Sequence, residues 1–168
     1  SGATYSEIVL SEGTNSNNTY NDNITVSSTN NNSDGIRFGR NGGSGTLAST
    51  KTITIGGSGF SAGELRLRNF TQTGNTPQTL NLTGTGFLYF YNASFGGNVL
   101  FSAPRMITRG TTYSGTAVLE KTGAISDGSA GGNIFVGNTE LKNSGTGYFQ
   151  MGNGTSDNFQ ANLILNNT

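Results

Sequence analysis

The sequence predicts an all-β chain wound as a β-solenoid, a parallel and right-handed β-helix of roughly seven irregular coils. Three observations predict it. The first is composition: Gly, Asn, Thr and Ser supply 27, 22, 24 and 18 of the 168 residues, while charged residues make up only 11%. Disordered chains with so little hydrophobic content are normally highly charged and poor in aromatic and β-branched residues. This chain is 10% aromatic and rich in Ile, Val and Thr, which points to short strands separated by turns. The second is a recurring motif. The third is strict alternation, as in Glu64-Leu-Arg-Leu-Arg68, the period of a strand with one buried face.

The motif is an aromatic, a short spacer, Asn or Thr, and then a strand. It occurs at 20–26 (YNDNITV), 95–101 (FGGNVLF), 113–119 (YSGTAVL), 135–141 (FVGNTEL) and 159–165 (FQANLIL), and with one extra residue at 60–67 (FSAGELRL). Weaker copies without the aromatic end in Ile53-Thr-Ile55 and Leu80-Asn-Leu82. The last four anchors, Phe95, Tyr113, Phe135 and Phe159, are nearly evenly spaced. Between them a second short strand is expected at Met106-Ile107, Ala124-Ile125 and Tyr148-Phe149, so each unit reads as strand, turn, strand, turn over about 20 residues. Such a unit cannot bury its apolar face alone and must stack on the next. The aromatic anchors are expected to form an internal column. The Asn that follows each anchor is expected to tolerate left-handed backbone and to bond its neighbour's main chain. An immunoglobulin-like β-sandwich is the alternative fold. The whole of 1–168 reads as one repeat domain, with 1–18 a cap, a first coil or a strand donated to a neighbour.

The chemistry-bearing residues are few. With no Cys and no His, disulfides, imidazole or thiolate metal sites, and Ser-His-Asp or Cys-His catalysis are ruled out. The nine carboxylates are scattered about one per unit, where glycosidases need a facing pair, so no catalytic residues, no metal and no cofactor are expected and the chain reads as a non-enzyme. Turns at 30–35 (NNNSDG) and 153–158 (NGTSDN) have the oxygen content for an isolated calcium, but ordinary Asx-turns explain them. Thr-x-Thr motifs at 52–54, 71–73 and 83–85 are too uneven for the ranks of an ice-binding face.

Two features suggest a ligand. In GFLYFYN (86–92), Phe87, Tyr89 and Tyr91 share one strand face, which offers an aromatic platform for sugar rings if Leu88 and Phe90 point inward. Arg37, Arg40, Arg66, Arg68, Arg105 and Arg109 would form a basic stripe if coils stack in register. Tyr89, Tyr91, Arg66 and Arg68 are therefore the candidate ligand-binding residues, with surface polysaccharide as the ligand class. The charge is also unevenly spread: residues 1–36 carry −4, residues 37–109 carry +6 and residues 110–168 carry −2, which raises head-to-tail attraction between copies.

The stretch at 135–149 (FVGNTELKNSGTGYF), with DNFQANLILNNT at 157–168, resembles the Asn/Gly/Thr-rich repeats of very large secreted surface proteins of Bacteroidota. The resemblance is close over 95–168 and loose over 1–94. It implies export by the type IX system, an extracellular or cell-surface location, and a place in an adhesin or filament; it transfers no functional residue. The expected role is a structural segment forming a stiff rod or fibre. The expected partners are neighbouring repeats or copies of the chain end to end, without nucleic acid or membrane insertion. The closing strand motif NLILNNT carries no polar cap and is expected to meet either the next repeat of a longer chain or another subunit. The alternative role is a carbohydrate-binding β-helix module that uses its aromatic or basic face.

Overall fold

The computed structural model describes residues 6–31 and 33–168. Twenty-one strands and no helix occur among the described residues, and they fall into seven turns of three. The first turn is β1 (Ser6–Glu12), β2 (Asn17–Tyr20) and β3 (Ile24–Ser28). The second is β4 (Ser33–Arg40), β5 (Ser44–Leu47) and β6 (Ile53–Phe60), and the third is β7 (Glu64–Arg68), β8 (Phe70–Gln72) and β9 (Gln78–Asn81). Next come β10 (Phe87–Tyr91), β11 (Ser94–Phe95) and β12 (Val99–Ala103), then β13 (Arg105–Arg109), β14 (Thr112–Tyr113) and β15 (Ala117–Lys121). The sixth turn is β16 (Asp127–Gly128), β17 (Ile134–Phe135) and β18 (Thr139–Asn143), and the seventh is β19 (Phe149–Gln150), β20 (Asn158–Phe159) and β21 (Leu163–Asn167).

Every strand pairing among the described residues is parallel and joins strands three apart in the chain. This is a parallel β-solenoid with three faces, and it excludes the sandwich, whose strands pair antiparallel. The second face, β2-β5-β8-β11-β14-β17-β20, runs unbroken through all seven turns. The first face is continuous from β1 to β13 and the third from β9 to β21.

Two expectations about the unit need correction. The repeat holds three strands, not two, because the aromatic anchor belongs to a strand of its own. That strand is only two residues long in β11, β14, β17 and β20, so in the sequence it reads as a preamble to the strand after it. Phe60 is not an anchor either. It ends β6 on the third face, and the leucines at 65 and 67 belong to the first. The second-face positions of the second and third turns are filled by Leu47 and Gln72, which align between Tyr20 and Phe95.

Where anchors are consecutive, the internal column forms as expected. Phe95, Tyr113, Phe135 and Phe159 stack face to face, with centroids 5.7, 4.9 and 4.7 Å apart and planes within 16° of parallel. In-register parallel strands ~4.8 Å apart impose this spacing. Beside the column, Phe90, Phe95 and Phe101 from the three faces of the fourth turn meet edge-on or tilted, at 5.0–5.4 Å. All of these rings except Phe159 are buried.

The core also holds polar side chains, and they stand where the backbone ladder fails. The third face breaks between β6 and β9. There the buried Gln78 accepts from the Ile53 amide through Oε1 (2.9 Å) and donates to the Lys51 carbonyl (3.0 Å). The first face breaks between β13 and β16. There Asp127 accepts from the Met106 amide (3.1 Å) and from the Arg105 guanidinium (2.9 and 3.0 Å), while Ser129 Oγ accepts from the Thr108 amide (3.1 Å). Each substitutes for a lost ladder bond, since a buried amide without an acceptor costs about 1–3 kcal/mol. This accounts for the misplaced strand at Ala124-Ile125. The chain is bent there, Ile125 is exposed, and the strand lies at Asp127–Gly128 with the carboxylate turned inward.

The Asn positions divide the two roles expected of them. Asn23 and Asn98, after their anchors, accept from the amides of Thr52 (3.0 Å) and Thr116 (2.9 Å) one turn on. The left-handed backbone lies at a different corner, after the first face, at Asn41, Asn69 and Asn92, with φ of 49°, 47° and 50°. Further buried polar contacts cross the last three turns. Thr108 Oγ1 bonds the Tyr113 hydroxyl (2.9 Å) and donates to Asn133 Oδ1 (2.9 Å), and Asn133 donates through its amide and Nδ2 to Asp157 (2.8 Å each). Asp157, in the turn with calcium-like composition, is thus engaged with Asn133. The other such turn includes Asn32, which lies outside the described residues. Burial pushes the Tyr113 hydroxyl well above its ordinary value, against the smaller opposing effect of its bond to Thr108.

Replacing Phe135 with Ala will destabilise the chain by about 3–5 kcal/mol, since it removes a buried ring with neighbours on both faces; urea unfolding checks it. The pH response of Tyr113 has a definite sign. Below about pH 10 the folded and unfolded states both keep its proton; above it only the folded state does. Stability will fall as pH rises past that point, with Tyr113 contributing at most ~1.4 kcal/mol per pH unit. Tyr113→Phe will flatten the fall, which urea midpoints between pH 9 and 11 will show.

Candidate functional site: an arginine and tyrosine face

All six arginines belong to strands of the first face, so the basic stripe expected from stacked coils is present. Alternation sets which way each side chain points. In β10, Leu88 and Phe90 are fully buried, whereas Phe87, Tyr89 and Tyr91 are half-buried on the outer side. In β7 the inward residues are Leu65 and Leu67, which leaves Arg66 and Arg68 outside.

Register then assembles columns from residues far apart in sequence. Arg37, Arg66, Tyr89 and Ile107 form one, Arg68, Tyr91 and Arg109 a second, and Glu64, Phe87 and Arg105 a third. Guanidinium carbons lie over rings throughout: Arg66 over Tyr89 at 4.5 Å, Arg105 over Phe87 at 4.4 Å, and Arg68 and Arg109 over Tyr91 at 4.9 and 5.1 Å from its two neighbouring strands. Phe87 and Tyr89 lie parallel, 5.8 Å apart. The aromatic platform is therefore not bare. The structure brings all four sequence-predicted residues together, with Arg109, around a groove of about 240 Å³.

Most of the positive charge here is already neutralised. Arg37 pairs with Glu7 (2.9 Å) and Glu64 (3.4 Å), and Arg66 binds Glu64 through Nη2 at 3.0 Å. Arg40 pairs with Glu7 and with Glu12, and Arg105 pairs with the buried Asp127. Arg68 and Arg109 make no ion pair among the described residues. Glu7 and Glu12, at the start of the chain, thus pair with arginines one turn on. Asp22 likewise pairs with Lys51 (3.1 Å); the Asn23 amide first, and then Lys51, hold its carboxyl below the usual carboxylate range. On the third face, the Ser144 hydroxyl (2.7 Å), and after it Lys142 (3.2 Å), do the same for Glu120.

Glu7 and Glu64 are both paired with Arg37, which lies between them. Both are paired with guanidinium groups, and Glu7 also lines a hollow of about 340 Å³. No group of three or more metal-ligating side chains occurs among the described residues. The Thr-x-Thr motifs fall on different faces; the outward hydroxyl rank is instead Thr19, Thr46, Thr71, Ser94 and Thr112 of the second face.

Sequence reasoning missed Arg109 as a partner of Tyr91, because the two are distant in the chain and belong to different motif copies. The signal that finds it is the step between the anchors Phe95 and Tyr113, which carries Tyr91 onto Arg109 when applied to the first face. Comparison of the chain with protein-family models, with curated proteins and with solved structures found no match in any of the three.

Tyr91 separates two guanidinium groups that carry no counter-ion. Tyr91→Leu will remove both cation–ring contacts and cost about 1–2 kcal/mol. In the Arg109→Gln background the same substitution will cost less, and a double-mutant cycle by chemical denaturation measures the difference.

Proposed function

We propose that this chain is a structural segment of an extracellular bacterial surface protein, an adhesin or filament, in which stacked turns form a stiff rod. Each turn advances the rod by one inter-strand step, so seven turns extend it by ~34 Å. Each turn touches mainly its neighbours, so rod length scales with the number of turns without a change of fold. The resemblance to repeats of secreted Bacteroidota surface proteins supports the location, and the pairing of Glu7 and Glu64 with arginines supports a non-catalytic role.

One observation carries the reading: the terminal turns share the spacing of the corner between the second and third faces. From anchor to third-face strand the offset is four residues in the first turn (Tyr20 to Ile24) and again in the seventh (Phe159 to Leu163). It is six in the second and third turns (Leu47 to Ile53, Gln72 to Gln78). At this corner a turn built like the first can stack on the seventh without a shift. The seventh turn presents a matching surface, a hollow of about 690 Å³ lined by Leu141, Phe149, Phe159, Leu163 and Leu165, with Leu165 69% exposed. The partner of this end is then a neighbouring repeat of the same rod or a second copy, first turn on seventh.

Negative-stain microscopy with light scattering tests this. The chain will form rows that lengthen in steps of ~34 Å as concentration rises, and Leu165→Lys will return it to single particles. Single particles at every concentration, or rows unaffected by Leu165→Lys, overturn stacking between copies.

A further inference from the structure

The column Arg68–Tyr91–Arg109 adds its cation–ring contacts to a ladder that already joins one turn to the next. Hydrogen bonds of the ladder join β7, β10 and β13 without it. Yet it holds two uncompensated cations at a fixed separation. They sit two inter-strand steps apart, ~9.5 Å, with the Tyr91 ring between them. Arg68 is partly buried, and its side chain lines the groove. The second tyrosine, Tyr89, lines the same groove.

We propose that this groove binds an acidic polysaccharide that carries about one carboxylate or sulfate per disaccharide, laid along the rod axis across the third to fifth turns. Guanidinium groups pair with such anions in bidentate geometry. Here the ring and the sheet fix both groups in advance, so little side-chain freedom is lost on binding. A neutral sugar that depends on ring stacking fits poorly, because Arg66 lies over Tyr89 and Tyr91 is flanked by arginines from both sides. Nucleic acid fits poorly for two reasons. Single strands bind by stacking bases on open aromatic faces, which this groove lacks, and duplex DNA carries a charge every ~1.7 Å along its axis, far denser than two cations ~9.5 Å apart. The binding is independent of whether copies stack end to end, since the groove lies on the side of the rod.

The test is titration calorimetry of the chain with size-defined hyaluronan, which has one carboxylate per disaccharide, against neutral dextran and single-stranded polythymidylate. Hyaluronan will bind, with affinity that falls as salt rises, and dextran will not. Arg68→Gln with Arg109→Gln will weaken hyaluronan tenfold or more, whereas Lys142→Gln, on the third face, will leave it unchanged. Should the double variant unfold, the single Arg109→Gln, at an exposed position, will still weaken binding threefold or more. Equal binding of dextran, binding of polythymidylate in place of hyaluronan, no binding of hyaluronan at millimolar concentration, or a folded double variant within twofold of the parent each overturns the proposal.

Discussion

The parallel ladder between successive turns is the interaction on which the rest of the structure depends. Each strand donates to and accepts from its counterpart one turn away, and this pins its register to the residue. Because side chains alternate with a period of two, a slip by one residue would exchange the inner and outer sets of a whole strand. The chain therefore confines its variation in length to the corners. Second-face positions recur at unequal intervals, a long one from Tyr20 to Leu47 and a much shorter one from Phe95 to Tyr113, yet the strands remain aligned. Left-handed residues such as Asn69 and Asn92 turn the chain at one such corner without disturbing the pairing.

Where a corner changes length enough to break the pairing of neighbouring strands, the unpaired amides need another acceptor. Gln78, Asp127 and Ser129 supply it from their side chains. This explains why the core contains polar side chains at the breaks of the ladder. Lys121 belongs to the same pattern. It occupies an inward column between Ala103 and Asn143 and donates to the carbonyls of Gly123 and Gly147. Polar side chains are thus one means by which turns of unequal length share one ladder.

The same register works on the outer surface. It sets Arg68, Tyr91 and Arg109, each from a different turn, in neighbouring positions on three strands. It also turns a sequence with an acidic start and a basic middle into cross-turn ion pairs, Glu7 with Arg37 and Arg40 and Asp22 with Lys51. The charge that survives this pairing is small and local, and its position on the face decides what the rod can attract.

The sequence by itself determined the fold class. Aromatic anchors at near-regular spacing, Gly-rich turns and the alternation at 64–68 are local features, and local features suffice to specify strands that must stack. It also determined that Leu88 and Phe90 share one face and Phe87, Tyr89 and Tyr91 the other, because alternation is a property of a single strand; the stack decided which face is buried. It did not reveal the third strand of each turn, since a two-residue strand such as Thr112–Tyr113 has no period of its own. Nor did it show that Asp127 belongs in the core, because a carboxylate is buried only where a broken ladder leaves an amide for it to accept. Which arginines keep their charge was decided by tertiary structure alone. Whether Arg66 meets Glu64, or Arg109 meets no acid, depends on registers between turns that only the assembled stack defines.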